Sequence, residues 1–284
     1  MIAVILAAGL SKRFGGKKLL EKINNKPMIL HTAELVGTYE FRQKVLVYSD
    51  EEVKKAVQAS ASTSDFIFVH NTHAEEGLST SIKLVVETLF QLNADRGTYN
   101  FKSENQVIEN QVIENQVIEN QVIENQVIEN QVIENQVIEN QDKESQDKEN
   151  QDKENRDIEN SNKENLNTNR EGKEGIMFFV GDQPFLNEGT IRRLDDAFTE
   201  GKGSIIVPIY GANRGNPVIF STKWVEELKK LEGDVGGRII IRQNSSEVWE
   251  VPITDIEIGR DIDTKEEYNA VQAERISELH GKTE

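Results

Sequence analysis

The chain has no cysteine. That excludes a disulfide framework, a thiolate zinc site and a cysteine nucleophile. It also lacks long apolar runs, and none approaches the ~18 residues of a membrane-spanning helix. The first apolar stretch, Ile2 to Leu6, is short and has no basic flank, unlike a secretory leader. A cytoplasmic protein with no membrane partner is expected. Positive charge is scarce: 33 Lys and Arg stand against 50 Asp and Glu, a net charge of −17 over 284 residues. Nucleic-acid binding requires a basic footprint, so no nucleic-acid partner is expected.

The few cations are not spread evenly. Leu6-Ala7-Ala8-Gly9-Leu10-Ser11-Lys12-Arg13-Phe14-Gly15-Gly16-Lys17-Lys18 holds three glycines, four cations, one hydroxyl and no acid. Glycine lets backbone N–H groups come close to phosphate oxygens. A turn of such groups forms a concavity for anions, and Arg and Lys neutralise the charge. The stretch reads as a triphosphate loop after a first strand, or as a basic surface turn.

From Glu104 the sequence repeats every five residues. Seven copies of Glu-Asn-Gln-Val-Ile run to Ile138, and degenerate copies continue to about Thr168. A five-residue step in a helix turns the chain by about 500°, so the Val-Ile pairs never build one face. In a strand, an odd period places alternate copies on opposite faces. With few aromatics and low hydrophobicity, the segment 101–174 is expected to be a disordered insert. Between Phe101 and Gly175 stand nineteen acids and eight bases, which leaves a net −6 on the rest. Residues 1–100 and 175–284 then make one mildly acidic domain of ordinary size.

In that part, β-rich apolar runs alternate with helical patterns. The runs are Ile2–Leu6, Lys44–Tyr48, Phe66–Val69, Ile176–Val180, Ser204–Pro208, Pro217–Phe220 and Glu247–Val251. The helical patterns are Met28–Val36, Glu51–Ala59, Ser79–Leu92, Glu188–Phe198, Thr222–Leu231, Val235–Gln243 and Thr264–Leu279. This order predicts an α/β fold with a mostly parallel sheet. Ligands of such sheets bind beyond the carboxyl ends of strands, near a switch in strand order. The loop 6–18 follows the first strand and lies at that edge.

A second constellation falls on the same edge. Strand Ile176–Val180 runs into Gly181-Asp182-Gln183-Pro184. Beside a triphosphate, Asp182 holds Mg²⁺, which takes carboxylate and phosphate oxygens together; otherwise it caps a helix or turn. Asp261-Ile262-Asp263-Thr264 offers a second ligand in Asp261 or Asp263, or simply a cap for the last helix. Gly77-Leu78-Ser79-Thr80-Ser81 opens a helix, where Gly77 and Ser79 either meet the nucleotide or cap. Asn213-Arg214-Gly215-Asn216-Pro217 and Gly233-Asp234-Val235-Gly236-Gly237-Arg238 hold a second substrate or are ordinary turns. His70 and His73 are the one histidine pair with metal-like spacing, and are expected to be incidental.

Taken together, these motifs resemble MobA-like nucleotidyltransferases. Leu6-Ala7-Ala8-Gly9 with Ser11, Arg13, Gly15 and Lys18 is similar to the family's signature loop. The segments at Gly77, Gly181, Gly215, Gly233 and Asp261 follow in the family's order. The set is most similar to the molybdenum cofactor cytidylyltransferase branch, since the guanylyl branch has Ala-Gly-Gly where this chain has Ala7-Ala8-Gly9. The resemblance implies a Rossmann-like three-layer nucleotidyltransferase fold with a mostly parallel mixed sheet, interrupted by the low-complexity repeat. It implies Mg²⁺-dependent transfer of CMP from CTP to the terminal phosphate of a molybdopterin-type acceptor, with release of pyrophosphate. Alternatives are GTP, a sugar or alditol phosphate acceptor, or a non-catalytic accessory protein that docks on a molybdoenzyme. On this resemblance Leu6, Ala7, Ala8, Gly9, Ser11 and Gly15 line the nucleotide, and Arg13 and Lys18 hold the triphosphate. Asp182 with Asp261 or Asp263 binds the metal. Gly215, Asn216, Pro217, Asp234 and Arg238 face the second substrate. The chain departs from the family at Lys265, where proline is common, and in the repeat, which has no counterpart.

Overall fold

A computed structural model describes residues 1–94, 107–109 and 174–281. In chain order the strands are β1 (Ile2–Ala7), β2 (Lys22–Ile23), β3 (Lys26–Pro27), β4 (Gln43–Tyr48), β5 (Phe66–His70) and β6 (Val107–Glu109). They continue as β7 (Gly175–Val180), β8 (Ile205–Tyr210), β9 (Asn213–Arg214), β10 (Val218–Ser221) and β11 (Val248–Ile253). The helices are α1 (Met28–Thr38), α2 (Glu51–Gln58), α3 (Leu78–Ala94), α4 (Glu188–Thr199), α5 (Val225–Lys229), α6 (Arg238–Gln243) and α7 (Lys265–Gly281).

The main sheet runs β11-β8-β10-β7-β1-β4-β5-β6, with β9 paired to β8. The run from β7 through β1, β4 and β5 to β6 is parallel. β10 is antiparallel to both its neighbours, so the sheet is mixed but mostly parallel. The central strands read as unbroken apolar runs because both faces are covered. Ile2, Val4 and Ile5 of β1 and Ile176, Met177 and Phe179 of β7 are no more than 2 % exposed. From β1 the chain steps to β4 and β5 on one side, and β7 lies on the other. That reversal leaves a crevice at the carboxyl ends of β1 and β7, where Leu6 pairs with Val180 and Gly181 N–H donates to Leu6 O.

The helix starts are written locally. Asp50 accepts from Glu52 N–H ahead of α2, and Asn187 accepts from Thr190 N–H ahead of α4. α7 opens with a reciprocal box: Thr264 Oγ1 accepts from Glu267 N–H, and Glu267 Oε2 accepts from Thr264 N–H. The cap is thus Thr264, which leaves the Asp263 carboxylate for other partners.

Two helical expectations are revised. The pattern over Thr222–Leu231 divides into a 3-10 turn, Thr222–Trp224, and the short α5. The helix expected from Val235 begins only at Arg238. Gly233, in the left-handed region at φ +61°, and the following residues pack against Gly77 instead of coiling. The hairpin β2–β3 is too short to carry a periodic signal. Val107–Glu109, at the junction of the first two repeat copies, lies parallel to β5 at the sheet edge. The rest of the expectation for 101–173 lies outside the described residues, all of which belong to one compact unit.

A small apolar cluster stands apart from the main core. Phe14, Ile23, Met28, Ile262 and Val271 are buried together, with Phe185 and Tyr268 packed against them. It joins the loop after β1 to the aspartate segment before α7. Tyr268 meets Phe14 edge-on at 5.9 Å. Lys265 Nζ lies 4.8 Å from the Phe14 ring centroid and 4.6 Å from that of Tyr268. Lys265 therefore covers this cluster with a cation–π contact.

Candidate functional site

The crevice between β1 and β7 opens into a cleft of about 540 Å³. Its walls include Leu6, Ala7, Ala8, Gly9, Ser11, Arg13, Lys18, Gly77, Asp182, Asp234 and Asp263. Residues up to 257 positions apart in sequence thus share one wall, because the topology brings these loops to one edge.

The loop after β1 is a fixed turn. Phe14 N–H and Gly15 N–H both donate to Ser11 O at 3.1 Å. Ser11 (φ +49°) and Gly15 (φ +75°) both lie in the left-handed region. That conformation is ordinary for glycine and uncommon for serine, and such outliers cluster at functional loops. Phe14 anchors the turn in the small apolar cluster. Gly15 supports the turn without lining the cleft.

The charged centre is Lys18. Its Nζ donates to Asp182 Oδ2 at 2.6 Å and to Asp263 Oδ1 at 2.9 Å. The Lys18 side chain is only 10 % exposed. Burial by itself would lower its pKa, but the two aspartates outweigh that, and the ammonium titrates above its ordinary value. Arg13 reaches Asp263 Oδ2 at a long 3.4 Å and is otherwise open to solvent. Asp182 Oδ1 is buried without a hydrogen-bond partner.

Asp261 stands behind this pair. As a residue it is exposed, yet its carboxyl faces a crowded recess. Loss of hydration and the neighbouring Asp182 charge push it up to about 6, with Asp263 adding and Gln183 and Lys18 opposing. Gln183, 1 % exposed, donates from Nε2 to Gly259 O and so ties the end of β7 to the aspartate segment. Ile262 N–H donates to Asp182 O, a second tie between them.

Several expected site residues sit elsewhere. Ser79 is 2 % exposed and off the cleft, and its N–H donates to Gly233 O. Leu78 N–H reaches Asp234 Oδ1 at 3.4 Å. The first turn of α3 is thus capped by the chain's own 233–234 segment, and Ser81 lines the cleft in place of Ser79. Gly215, Asn216 and Pro217 do not line the cleft. They lie behind Asp261 through Tyr210, whose Oη donates to Asn216 O at 2.8 Å and whose ring packs on Gly215. Arg238 is exposed outside the cleft.

His70 stacks on Tyr48 at 4.9 Å, and His73 Nδ1 lies 3.2 Å from Glu76 Oε1, so the two histidines do not act together. Among the described residues, the one trio of possible metal ligands within 4.8 Å of one another is His73, Glu75 and Glu76, all exposed. The aspartates are therefore not a closed three-ligand cage. Sequence reasoning left out Lys12, Glu75, Glu76 and Gln183. Gln183 was detectable as a polar residue beside Asp182 after a buried strand. The rim glutamates had only their place before Gly77.

The sheet order and the cleft at its strand ends define an α/β nucleotidyltransferase fold. Residues 3–248 match the family model of the MobA-like NTP transferase domain. The chain belongs to the MobA-like NTP transferase family. It is similar to a probable molybdenum cofactor guanylyltransferase of Thermococcus sibiricus, 54 % identical over 55 residues, which are 19 % of this chain and 28 % of that protein. The chain thus matches under a third of that relative's length. Among solved structures it is similar to molybdopterin-guanine dinucleotide biosynthesis protein A of Archaeoglobus fulgidus (TM-score 0.51, 12 % identity, covering 98 % of this chain and 100 % of that one). It is also similar to a Mycobacterium tuberculosis protein crystallised as a complex with manganese (TM-score 0.52, 16 % identity, covering 95 % and 96 %). These structures share its fold.

Proposed function

We propose that this protein is a metal-dependent nucleotidyltransferase that moves CMP from CTP onto the terminal phosphate of a molybdopterin-type acceptor and releases pyrophosphate. The observation that carries the reading is Lys18 held between Asp182 and Asp263 at the foot of the glycine loop. Positive charge and the free Asp182 Oδ1 thus stand at one point of one cleft, as nucleotidyl transfer requires.

The donor set fits Mg²⁺. That ion typically takes one or two carboxylates and completes its shell with water and phosphate oxygens. Asp182, with its orphaned buried Oδ1, and Asp263 or Asp261 would hold it. When bound, the ion supplies Lewis-acid polarisation of the phosphate oxygens. Arg13 and Lys18 neutralise the triphosphate and the departing pyrophosphate. Ala7, Ala8 and Gly9 let the nucleotide lie against backbone, and Leu6, Ser11, Gly15 and Gly77 shape its bed. An acceptor phosphate oxygen forms the new bond to the α-phosphorus, and the bond to the β-phosphate oxygen breaks. No side-chain nucleophile is needed, because such transfer is mostly positioning and charge stabilisation. Asp234 at the cleft wall orients the acceptor.

The choice of CTP rests on Ala7-Ala8-Gly9 and the ordered motif set. A second reading, GTP, is favoured by the name of the Thermococcus relative. Incubating the protein and molybdopterin with each nucleoside triphosphate, with and without Mg²⁺, and measuring pyrophosphate tests both. Release with CTP alone is the expected result. Release with GTP alone replaces the base assignment, and release with neither removes the transferase reading.

A further inference from the structure

Each cation of the glycine loop except one is already engaged. Lys18 bridges Asp182 and Asp263, and Arg13 leans on Asp263. Lys17 pairs with Asp50 at 3.2 Å and Glu52 at 2.8 Å, at the start of α2. Lys12 is exposed, lines the cleft, and has no ion-pair or hydrogen-bond partner among the described residues. The cleft wall carries five acids, Glu75, Glu76, Asp182, Asp234 and Asp263, against three cations, Lys12, Arg13 and Lys18. A polyanion entering this wall meets net negative charge. Two of the three cations must loosen an existing pair before they can turn to it. Lys12 alone responds at no such cost.

The backbone explains why Lys12 is held in this state. Phe14 is drawn into its apolar cluster, and Phe14 and Gly15 both donate to Ser11 O. The turn closes beneath residues 12 and 13, which leaves both side chains outside. Among the described residues, Arg13 makes only the long contact to Asp263, and Lys12 pairs with no acid.

We propose that Lys12 is a substrate-binding residue that captures the polyphosphate tail of the incoming nucleotide, ahead of Lys18 and Arg13. This rests on the nucleotidyltransferase reading of the same cleft. It deepens that reading by giving the first contact with the polyphosphate to a residue that the sequence left without a role.

The test compares two variants that each remove one positive charge from the same loop. Lys12→Gln removes the free cation, and Lys17→Gln removes one tied to α2. Inorganic tripolyphosphate is the probe, titrated calorimetrically at fixed Mg²⁺, so that neither base nor acceptor enters. Lys12→Gln should weaken binding about tenfold, the size of one charge-assisted contact. Lys17→Gln should change it by less than about twofold, since long-range effects are screened. Lys12→Arg should restore binding to within about twofold of the parent. The same Lys12→Gln variant should raise KM for the nucleotide about tenfold with kcat nearly unchanged, the mark of uniform binding loss. Equal effects of Lys12→Gln and Lys17→Gln overturn the proposal, as does a parent protein that does not bind tripolyphosphate. A parent that binds tripolyphosphate through Lys12 yet releases no pyrophosphate from any nucleotide leaves the proposal standing and sinks the transferase reading.

Discussion

Ile262 links stability to the site, and replacing it with alanine should affect both. The residue lies between Asp261 and Asp263, is fully buried, and packs with Phe14, Ile23, Met28 and Val271. Truncating a buried Ile to Ala costs about 2–5 kcal/mol, less where the surroundings can collapse. This cluster is small and near the surface, so a loss of about 2–3 kcal/mol is expected. For a folded part of this size that is a fall in Tm of roughly 5–10 °C. Most molecules stay folded at 25 °C if the parent has the usual ~5–15 kcal/mol. Any larger fall in turnover is then positional. The aspartates share Ile262's backbone, and Phe14, which anchors the glycine loop, loses its neighbour. A shift of about 1 Å in such a site costs up to about a hundredfold in rate. We expect kcat/KM for pyrophosphate release to fall about ten- to a hundredfold at 25 °C. Ile262→Val should lose about 1 kcal/mol and keep near-parental turnover. An unchanged Tm would refute the packing argument. A lowered Tm with unchanged kcat/KM would refute the claim that this cluster positions the aspartates.

Asp182→Asn keeps the shape of the β7 end but removes the charge that Lys18 engages. Turnover should fall by at least about a hundredfold, and manganese binding followed by electron spin resonance should weaken with it. Glu34 gives a pH prediction. Burial would raise its carboxyl, but Lys26 and Ser60 hold it below the ordinary value. Its stabilisation is complete above the unfolded pKa and is lost as pH falls through the folded one. The Tm advantage of the parent over Lys26→Met should therefore shrink between about pH 6 and 3, and an advantage that grows toward acid would contradict the assignment. Deleting residues 110–172, which keeps Val107–Glu109, should leave Tm and tripolyphosphate binding near parental values, since the described residues form one compact unit without them. Loss of cooperative melting in that variant would make the repeat structural.

Much of the fold was legible because β1, β4 and β7 are buried on both faces and their apolar runs are unbroken. The cleft was legible because charge in an acidic chain is informative where it reverses: four cations and no acid in residues 6–18. What pairs with what was not. Lys18 and Lys17 are adjacent, yet one turns inward to Asp182 and the other outward to Asp50, and no local pattern separates them. Ser79 looked like a ligand because its type and position suit either a cap or a contact. The packing of Gly233 over Gly77, where even a Cβ would clash, gives the Ser79 N–H to Gly233 O. Ile262 was unreadable as an anchor, since its partners Ile23 and Phe14 lie about 240–250 positions away and Val271 belongs to the last helix.

The twofold tie of Lys18 bears on how the folded chain offsets its own acids. Asp182 and Asp263, facing one point without an internal cation, would repel each other. Here the chain carries the neutralising charge on its own lysine, 2.6 Å from Asp182 and 2.9 Å from Asp263. The two acids therefore need no added ion to offset their mutual repulsion in the folded chain.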